Sequence, residues 1–172
     1  MRLTVLAAPI AFLCAAVVGA APLGTGMRMP ALALTDQHDV PGSVGPETRC
    51  VLFTRDMAAT KVLNEALGDD PAPLLAAAHA VVVSDISSMP SLITKLFALP
   101  AMRKRAYRIL LDREGRMTAD FPSDKGKVTV FHLHALTIER VDYVEAAGAL
   151  SDMLHQAAEV PAQEQGGGKD GR

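Results

Sequence analysis

Three short apolar runs constrain the fold of this chain more than any other feature of its sequence. They occupy Cys50–Thr54, residues 81–83 and residues 109–111. Runs of this length without polar alternation are typical of strands that are buried on both faces of a sheet. The intervening stretches are long enough for helices, and strand–helix–strand units of this kind are right-handed and place their strands parallel. The pattern therefore predicts a parallel sheet at the centre of the fold.

Helix signals follow the first apolar run. Asp56 can accept a hydrogen bond from a free N–H group at the start of a helix, and Gly68 is placed to end that helix. Between them, Met57, Leu63 and Leu67 fall on one face. We expect an amphipathic helix with this face turned toward the core.

A second helix is predicted after residues 81–83. Ser87 or Ser88 can cap it, Pro90 suits its first turn, and Pro100 is expected to stop it. The expected inner face consists of four apolar residues, namely Leu92, Ile93, Leu96 and Phe97.

The remaining elements complete an α/β domain. Residues 32–34 suit an edge strand, residues 128–133 and 136–144 a hairpin, and residues 145–159 a final helix. From the first apolar run onward, the predicted order is β-α-β-α-β-β-β-α, in which the hairpin adds antiparallel strands at the far edge of the sheet. We therefore predict a mixed central sheet that is covered by helices on both faces.

Both ends of the chain differ in composition from this domain. Residues 1–20 begin with a positive charge, continue with an apolar stretch and end with small residues, which predicts a secretory signal peptide cleaved after Ala20. An uncleaved membrane anchor is the alternative. We expect a periplasmic or secreted protein with one domain over residues 21–162. Residues 163–172 contain a glycine triplet and no apolar residue, which predicts a disordered tail.

Charge and cysteine content narrow the functional classes. The formal net charge of −2 argues against nucleic-acid binding, and no stretch after residue 20 is long and apolar enough for a membrane span. Of the two cysteines, Cys14 lies in the predicted signal peptide. Cys50 then has no second cysteine in the mature chain with which to form an internal disulfide.

Four segments resemble the peroxiredoxin and thioredoxin-like superfamily. Residues 32–42 resemble its leading L-x-D-x-x-G hairpin, residues 51–56 the strand before the active-site helix, residues 107–115 its f-p-v-L-x-D-x-x-G strand and residues 128–144 its t-f-x-I-D-x-x-G-x-I hairpin. The resemblance implies a thioredoxin-like three-layer α/β/α fold with a mixed central sheet. The resemblance extends to small exported bacterial proteins of this fold, some of which carry a flavin-dehydrogenase label. Nothing in this sequence supports that label, because the dinucleotide-binding motif G-x-G-x-x-G does not follow any predicted strand.

The residues that perform the chemistry of that superfamily are replaced. In the motif P-x-x-x-T-x-x-C, Thr54 stands in place of the proline, Ala58 in place of the threonine and Lys61 in place of the attacking cysteine. The thioredoxin C-x-x-C is absent, and no proline stands at Gly126, near which the superfamily's cis-proline would fall. Because that chemistry needs a thiolate, we infer the fold of this chain from the resemblance but assign it no catalytic residue.

The main candidate for a binding site is the run Thr54-Arg55-Asp56. Ligands of open α/β sheets bind at the carboxyl ends of parallel strands. A helix start also offers free N–H groups to an anion, and Arg55 would add positive charge. The alternative is that Asp56 only caps the helix and already occupies those N–H groups.

Three further features of the sequence are candidate sites. Cys50 is either a reactive thiol or a small apolar core residue. His132 and His134 fall on one face of a predicted strand, where they could share a metal ion or be unconnected histidines near a turn. A basic run could dock an acidic partner or anionic lipid head groups, or form a solvated loop. It consists of Arg103, Lys104, Arg105 and Arg108.

Three functions remain open at this point. The missing motifs favour a non-catalytic binding or accessory protein of the cell envelope, with a protein or small-ligand partner and with no metal or cofactor. The alternatives are a thiol redox enzyme, similar to a peroxidase or oxidoreductase, that uses Cys50 alone, and a carrier of a metal or cofactor built on His132 and His134.

Overall fold

The computed structural model describes residues 21–159, which form a seven-stranded sheet with helices. The predicted signal peptide and tail lie outside the described residues. The strands are β1 (Leu34–Asp36), β2 (Pro41–Gly42), β3 (Cys50–Thr54), β4 (Ala80–Asp85), β5 (Ile109–Asp112), β6 (Val128–His134) and β7 (Thr137–Val144). Their order is β2-β1-β5-β4-β3-β6-β7; β3, β4 and β5 are parallel, and the other pairs are antiparallel. The predicted α/β fold with a mixed central sheet is confirmed, with the hairpin at one edge.

The helices of the described part connect or follow these strands. They are α1 (Met57–Leu67), α2 (Ala72–Ala77), α3 (Ser91–Ile93), α4 (Leu99–Arg103) and α5 (Ala147–Glu159). A π-helical turn, Thr94–Ala98, joins α3 to α4, and we call residues 91–103 the composite helix. None of the helices within residues 21–159 has the length and the apolar character that a membrane crossing requires.

One face of the sheet packs against helices. Leu52 of β3 and Val82 of β4 contact a buried cluster that includes Leu63 of α1 and both Leu150 and Leu154 of α5. The side chains of successive strand residues point to opposite faces, so alternate residues of the same strands belong to a second cluster. Burial of these apolar side chains supplies most of the driving force for folding.

Irregular segments cover the opposite face. Val51 and Phe53 of β3 lie in a cluster with Leu32, Phe121 and Phe131, to which no described helix contributes. The Phe121 ring contacts the rings of Phe53 and Phe131 edge to face, with centroid distances of 5.1 and 5.0 Å. This corrects the expectation of helices on both faces. In the described residues, the segment before β1 and the loop between β5 and β6 take the place of the second helical layer.

The composite helix is oriented differently from the prediction. Its four expected inner residues are exposed, Leu92 by 67%, Ile93 by 49%, Leu96 by 58% and Phe97 by 69%. Leu99 and Met102 pack partly against the core instead. Pro100 does not end the helix, because the backbone stays helical from the π-helical turn through α4. The four residues therefore form the predicted apolar stripe, but the composite helix turns that stripe to solvent.

Candidate functional site

Two hydroxyl side chains meet at the carboxyl ends of the central strands. Thr54 of β3 lies opposite Ser84 of β4 in the parallel register, and their Oγ1 and Oγ atoms are 2.7 Å apart. Both residues are buried, so the hydrogen bond satisfies groups that would be costly to leave unpaired away from water. Thr54 therefore joins β3 to β4 at the edge where open α/β sheets bind ligands.

Arg55 connects three parts of the chain at this edge. Its Nε donates to Asp85 Oδ2 at 3.0 Å, its Nη1 donates to Ser123 Oγ at 3.1 Å, and its Nη2 donates to the carbonyl oxygen of Thr118. The guanidinium carbon also lies 5.1 Å from the centre of the Phe53 ring, within the range of a cation–π contact. The donors of Arg55 are therefore directed at the protein itself.

Asp112, the last residue of β5, holds the loop that follows it. Its carboxylate accepts hydrogen bonds from Gly115 N at 2.8 Å, from Thr118 N at 2.8 Å and from Thr118 Oγ1 at 2.9 Å. Gly115 has a φ of 70°, and a Cβ atom there would lie 2.5 Å from Ser87 Oγ, so the turn requires glycine. These bonds bring the Thr118 carbonyl within reach of Arg55.

The sequence interpretation missed five residues of this cluster, namely Ser84, Asp85, Asp112, Thr118 and Ser123. A signal for two of them was present, because Asp85 and Asp112 each end an apolar strand on the same side as Asp56. Thr118 and Ser123 carry no comparable signal. Their positions depend on the path of the loop between β5 and β6.

Asp56 caps α1, as the sequence predicts, and also holds the loop before β6. Its Oδ1 accepts from Ala59 N and its Oδ2 accepts from Gly126 N, each at 2.9 Å. Burial acts to raise the pKa of Asp56, but the N–H groups of Gly126, Ala59 and Ala58 outweigh it and hold the pKa below its usual value. The carboxylate therefore occupies N–H groups at this helix start.

A groove of about 740 Å³ opens beside this edge, between α1 and the composite helix. Its walls include Ala58 and Lys61 of α1 and Ser84 of β4. Three methionines also line it, namely Met57, Met89 and Met102. Met57 was predicted to face the core and is instead 77% exposed, because it is the first residue of α1. Flexible thioether side chains suit a surface that adapts to apolar ligands.

Cys50 lies at the opposite end of β3 from Thr54. Four residue-to-residue steps along the strand separate them by about 13 Å. Cys50 is 4% exposed and pairs with β4 on one side and β6 on the other. Burial raises the pKa of its thiol, against the opposing charges of Arg49 and Arg140. A thiol that stays protonated and buried is a poor nucleophile.

His132 and His134 have separate partners. His132 Nε2 lies 2.9 Å from Asp142 Oδ2 and 3.0 Å from Arg140 Nη2, whereas His134 Nδ1 lies 3.9 Å from Glu139 Oε1. Burial, followed by the charge of Arg140, lowers the pKa of His132 despite the opposing effect of Asp142. Within residues 21–159, no group of three or more His, Cys, Asp or Glu side chains is arranged to hold a metal ion.

The basic run is divided between bonded and unbonded side chains. Arg103 pairs with Asp39 at 3.1 Å, and Arg108 pairs with Asp36 at 2.9 Å. The other two members of the run form no ion pair with a residue of the described part, namely Lys104 and Arg105.

Solved structures match the fold of this chain. Peroxidoxin BcpB from Mycobacterium tuberculosis matches with a TM-score of 0.53 and 20% identity, over 79% of this chain and 96% of that chain. A candidate thiol:disulfide interchange protein DsbE from Chlorobium tepidum matches with a TM-score of 0.55 and 14% identity, over 78% and 95%. A peroxiredoxin-like protein from Aquifex aeolicus matches with a TM-score of 0.52 and 11% identity, over 80% and 90%. The chain therefore has a thioredoxin-like fold.

This finding confirms, at the level of the fold, the resemblance read from the four sequence segments. Proteins named as peroxiredoxins and as thiol:disulfide interchange proteins both have this fold. The sequence itself matches no protein-family model and no curated protein.

Proposed function

We propose that this chain is an exported, non-catalytic thioredoxin-like protein of the cell envelope that binds an apolar group of a protein or small ligand. One observation carries the proposal. The groove beside α1 opens where the peroxiredoxin motif would place its threonine and cysteine, and Ala58 and Lys61 stand at those positions and line it. Concave, mostly apolar surfaces bind ligands, whereas peroxide or disulfide chemistry needs a thiolate at this place. Export is proposed from the signal-peptide pattern of residues 1–20.

In this proposal, Thr54, Arg55 and Asp56 support the binding groove. Thr54 bonds to Ser84, which lines the groove. Asp56 fixes the start of α1, which forms one wall. Arg55 ties β4 to the loop after β5. The contacts to the bound apolar group come from the groove itself, where the methionine side chains adjust to its shape.

The reactivity of Cys50 distinguishes the non-catalytic proposal from a thiol redox enzyme that uses this residue. In a Cys14→Ser background, we expect iodoacetamide to alkylate Cys50 in the folded protein about a hundredfold more slowly than in the unfolded chain, because a buried thiol reacts mainly through transient opening. The rate should rise only above the titration range of a free cysteine, about pH 8.5. Alkylation is followed against pH by mass spectrometry.

Rapid alkylation of folded Cys50 with a midpoint well below that range would identify an activated thiol and refute the non-catalytic proposal. Turnover of hydrogen peroxide or of a disulfide that disappears in Cys50→Ser would refute it as well.

Filling the groove tests the binding proposal directly. Ala101 is exposed and lines the groove, so the ring of Ala101→Phe occupies the space that an apolar ligand would use. We expect this variant to bind the apolar probe 1-anilinonaphthalene-8-sulfonate about tenfold more weakly, a loss of about 1.4 kcal/mol. Ala77 on α2 is exposed and lies outside the groove, so Ala77→Phe is the matched control. Equal probe affinity in both variants and the parent protein contradicts binding in the groove.

A further inference from the structure

The composite helix presents an apolar face to solvent. Four large apolar side chains on its first two turns are between 49% and 69% exposed, namely Leu92, Ile93, Leu96 and Phe97, and we call them the exposed apolar face. Scattered apolar residues on a surface are ordinary, but a contiguous cluster of this size marks an interaction site.

The segment that carries this face is basic. Residues 86–111 contain five Lys or Arg and no Asp or Glu, whereas the whole chain has a net charge of −2. Arg103 and Arg108 are neutralised by aspartates. The other three cations make no ion pair within residues 21–159, namely Lys95, Lys104 and Arg105. An acidic surface is therefore the complementary partner.

We propose that the exposed apolar face docks on an anionic lipid surface. The four apolar side chains enter the boundary between head groups and acyl chains, and Lys95, Lys104 and Arg105 lie against the acidic head groups. Helices that lie in a membrane interface combine these two features, an apolar face and flanking Lys or Arg. Thirteen helical residues extend about 20 Å, less than the roughly 30 Å of a bilayer core, which fits a helix that lies on the membrane.

A second copy of the chain is a less suitable occupant for the same face. A symmetric dimer through this face would bring the two sets of unpaired cations together, and like charges at an interface repel. Docking on lipid is independent of the apolar group that the neighbouring groove is proposed to bind. Either proposal can fail without the other.

Sedimentation with lipid vesicles tests the inference on the full chain. The vesicles are phosphatidylcholine alone and phosphatidylcholine mixed with phosphatidylglycerol. We expect the protein to bind the mixed vesicles about tenfold more tightly than vesicles of phosphatidylcholine alone. High salt should weaken binding to the mixed vesicles. The double variant Leu96→Ser, Phe97→Ser is expected to lose about tenfold in affinity for the mixed vesicles.

The matched control is Val40→Ser with Tyr143→Ser, which removes two exposed apolar side chains elsewhere and should bind like the parent protein. Circular dichroism confirms that all variants are folded. Because every variant keeps residues 1–20, differences between variants report on the substituted face. Equal binding of the parent and the Leu96, Phe97 variant overturns the proposal, as does equal binding to both kinds of vesicle. If the parent protein does not bind the mixed vesicles but forms a dimer, and the Leu96, Phe97 variant does not form that dimer, the face is assigned to a second copy of the chain instead.

Discussion

Replacing Phe121 by alanine is expected to lower the free energy of unfolding by about 4 kcal/mol, because truncating a buried aromatic side chain leaves a cavity and costs about 3–5 kcal/mol. Phe121 is almost fully buried and contacts both Phe53 and Phe131 edge to face, and such ring pairs add to the effect of burial. It also belongs to the irregular layer that replaces helices on this face. Urea denaturation followed by circular dichroism measures the change.

Two further variants identify the cause of this loss. Phe121→Leu keeps most of the volume and should cost less than about 1.5 kcal/mol. Tyr143→Ala removes an aromatic ring that is nearly half exposed on β7 and should cost less than about 1 kcal/mol. A Phe121→Ala variant as stable as Tyr143→Ala would mean that the loop between β5 and β6 does not cover the sheet as described.

Breaking the ion pair between Arg55 and Asp85 is expected to have the next largest effect. Arg55→Met should cost about 3 kcal/mol, the lower end of the range of about 3–5 kcal/mol for removing one partner of a buried pair. The lower end applies because Arg55 is about one-third exposed while Asp85 is buried (32% and 7%). The loss arises mainly from the Asp85 carboxylate, which stays buried and keeps only the backbone N–H of Ser87 as a donor.

A double-mutant cycle separates charge from packing at this site. In the combination of Arg55→Met with Asp85→Asn, the buried charge is gone, so we expect at least half of the lost stability to return. Arg55→Lys keeps the charge but cannot reproduce the fork of donors to Asp85, Ser123 and Thr118, so it should lie between the parent and Arg55→Met. A double variant that is no more stable than Arg55→Met alone would show that the charge of Asp85 is not the cause.

The local elements of the fold could be predicted from the sequence. The apolar run at Cys50–Thr54 became the buried central strand, and Asp56 and Gly68 became the two ends of α1. Each of these features depends on neighbours within a few residues, such as free N–H groups at a helix start or a β-branched run. The apolar stripe of the composite helix was also present in the sequence, but the prediction that it faces the core was wrong, because distant segments determine which side of a helix is covered.

The candidate site was only partly predictable for the same reason. Thr54, Arg55 and Asp56 could be placed at the carboxyl end of a strand because a single strand and helix define that position. The partners of Arg55 could not be inferred, since Asp85 is 30 residues away and Ser123 is 68 residues away.

Residue types and their local pattern are enough to give the α/β class, the order of the elements from β3 to α5 apart from α2, and the absence of a cysteine from the first turns of α1. These follow from local hydrogen bonding, from apolar periodicity and from the residue types present. Long-range packing sets three features that no local pattern predicts: Cys50 is buried, loops replace helices on one face of the sheet, and the apolar side chains of the composite helix face solvent. The burial of a side chain depends on which distant segments pack against it, and that choice is made by the free energy of the whole assembled core.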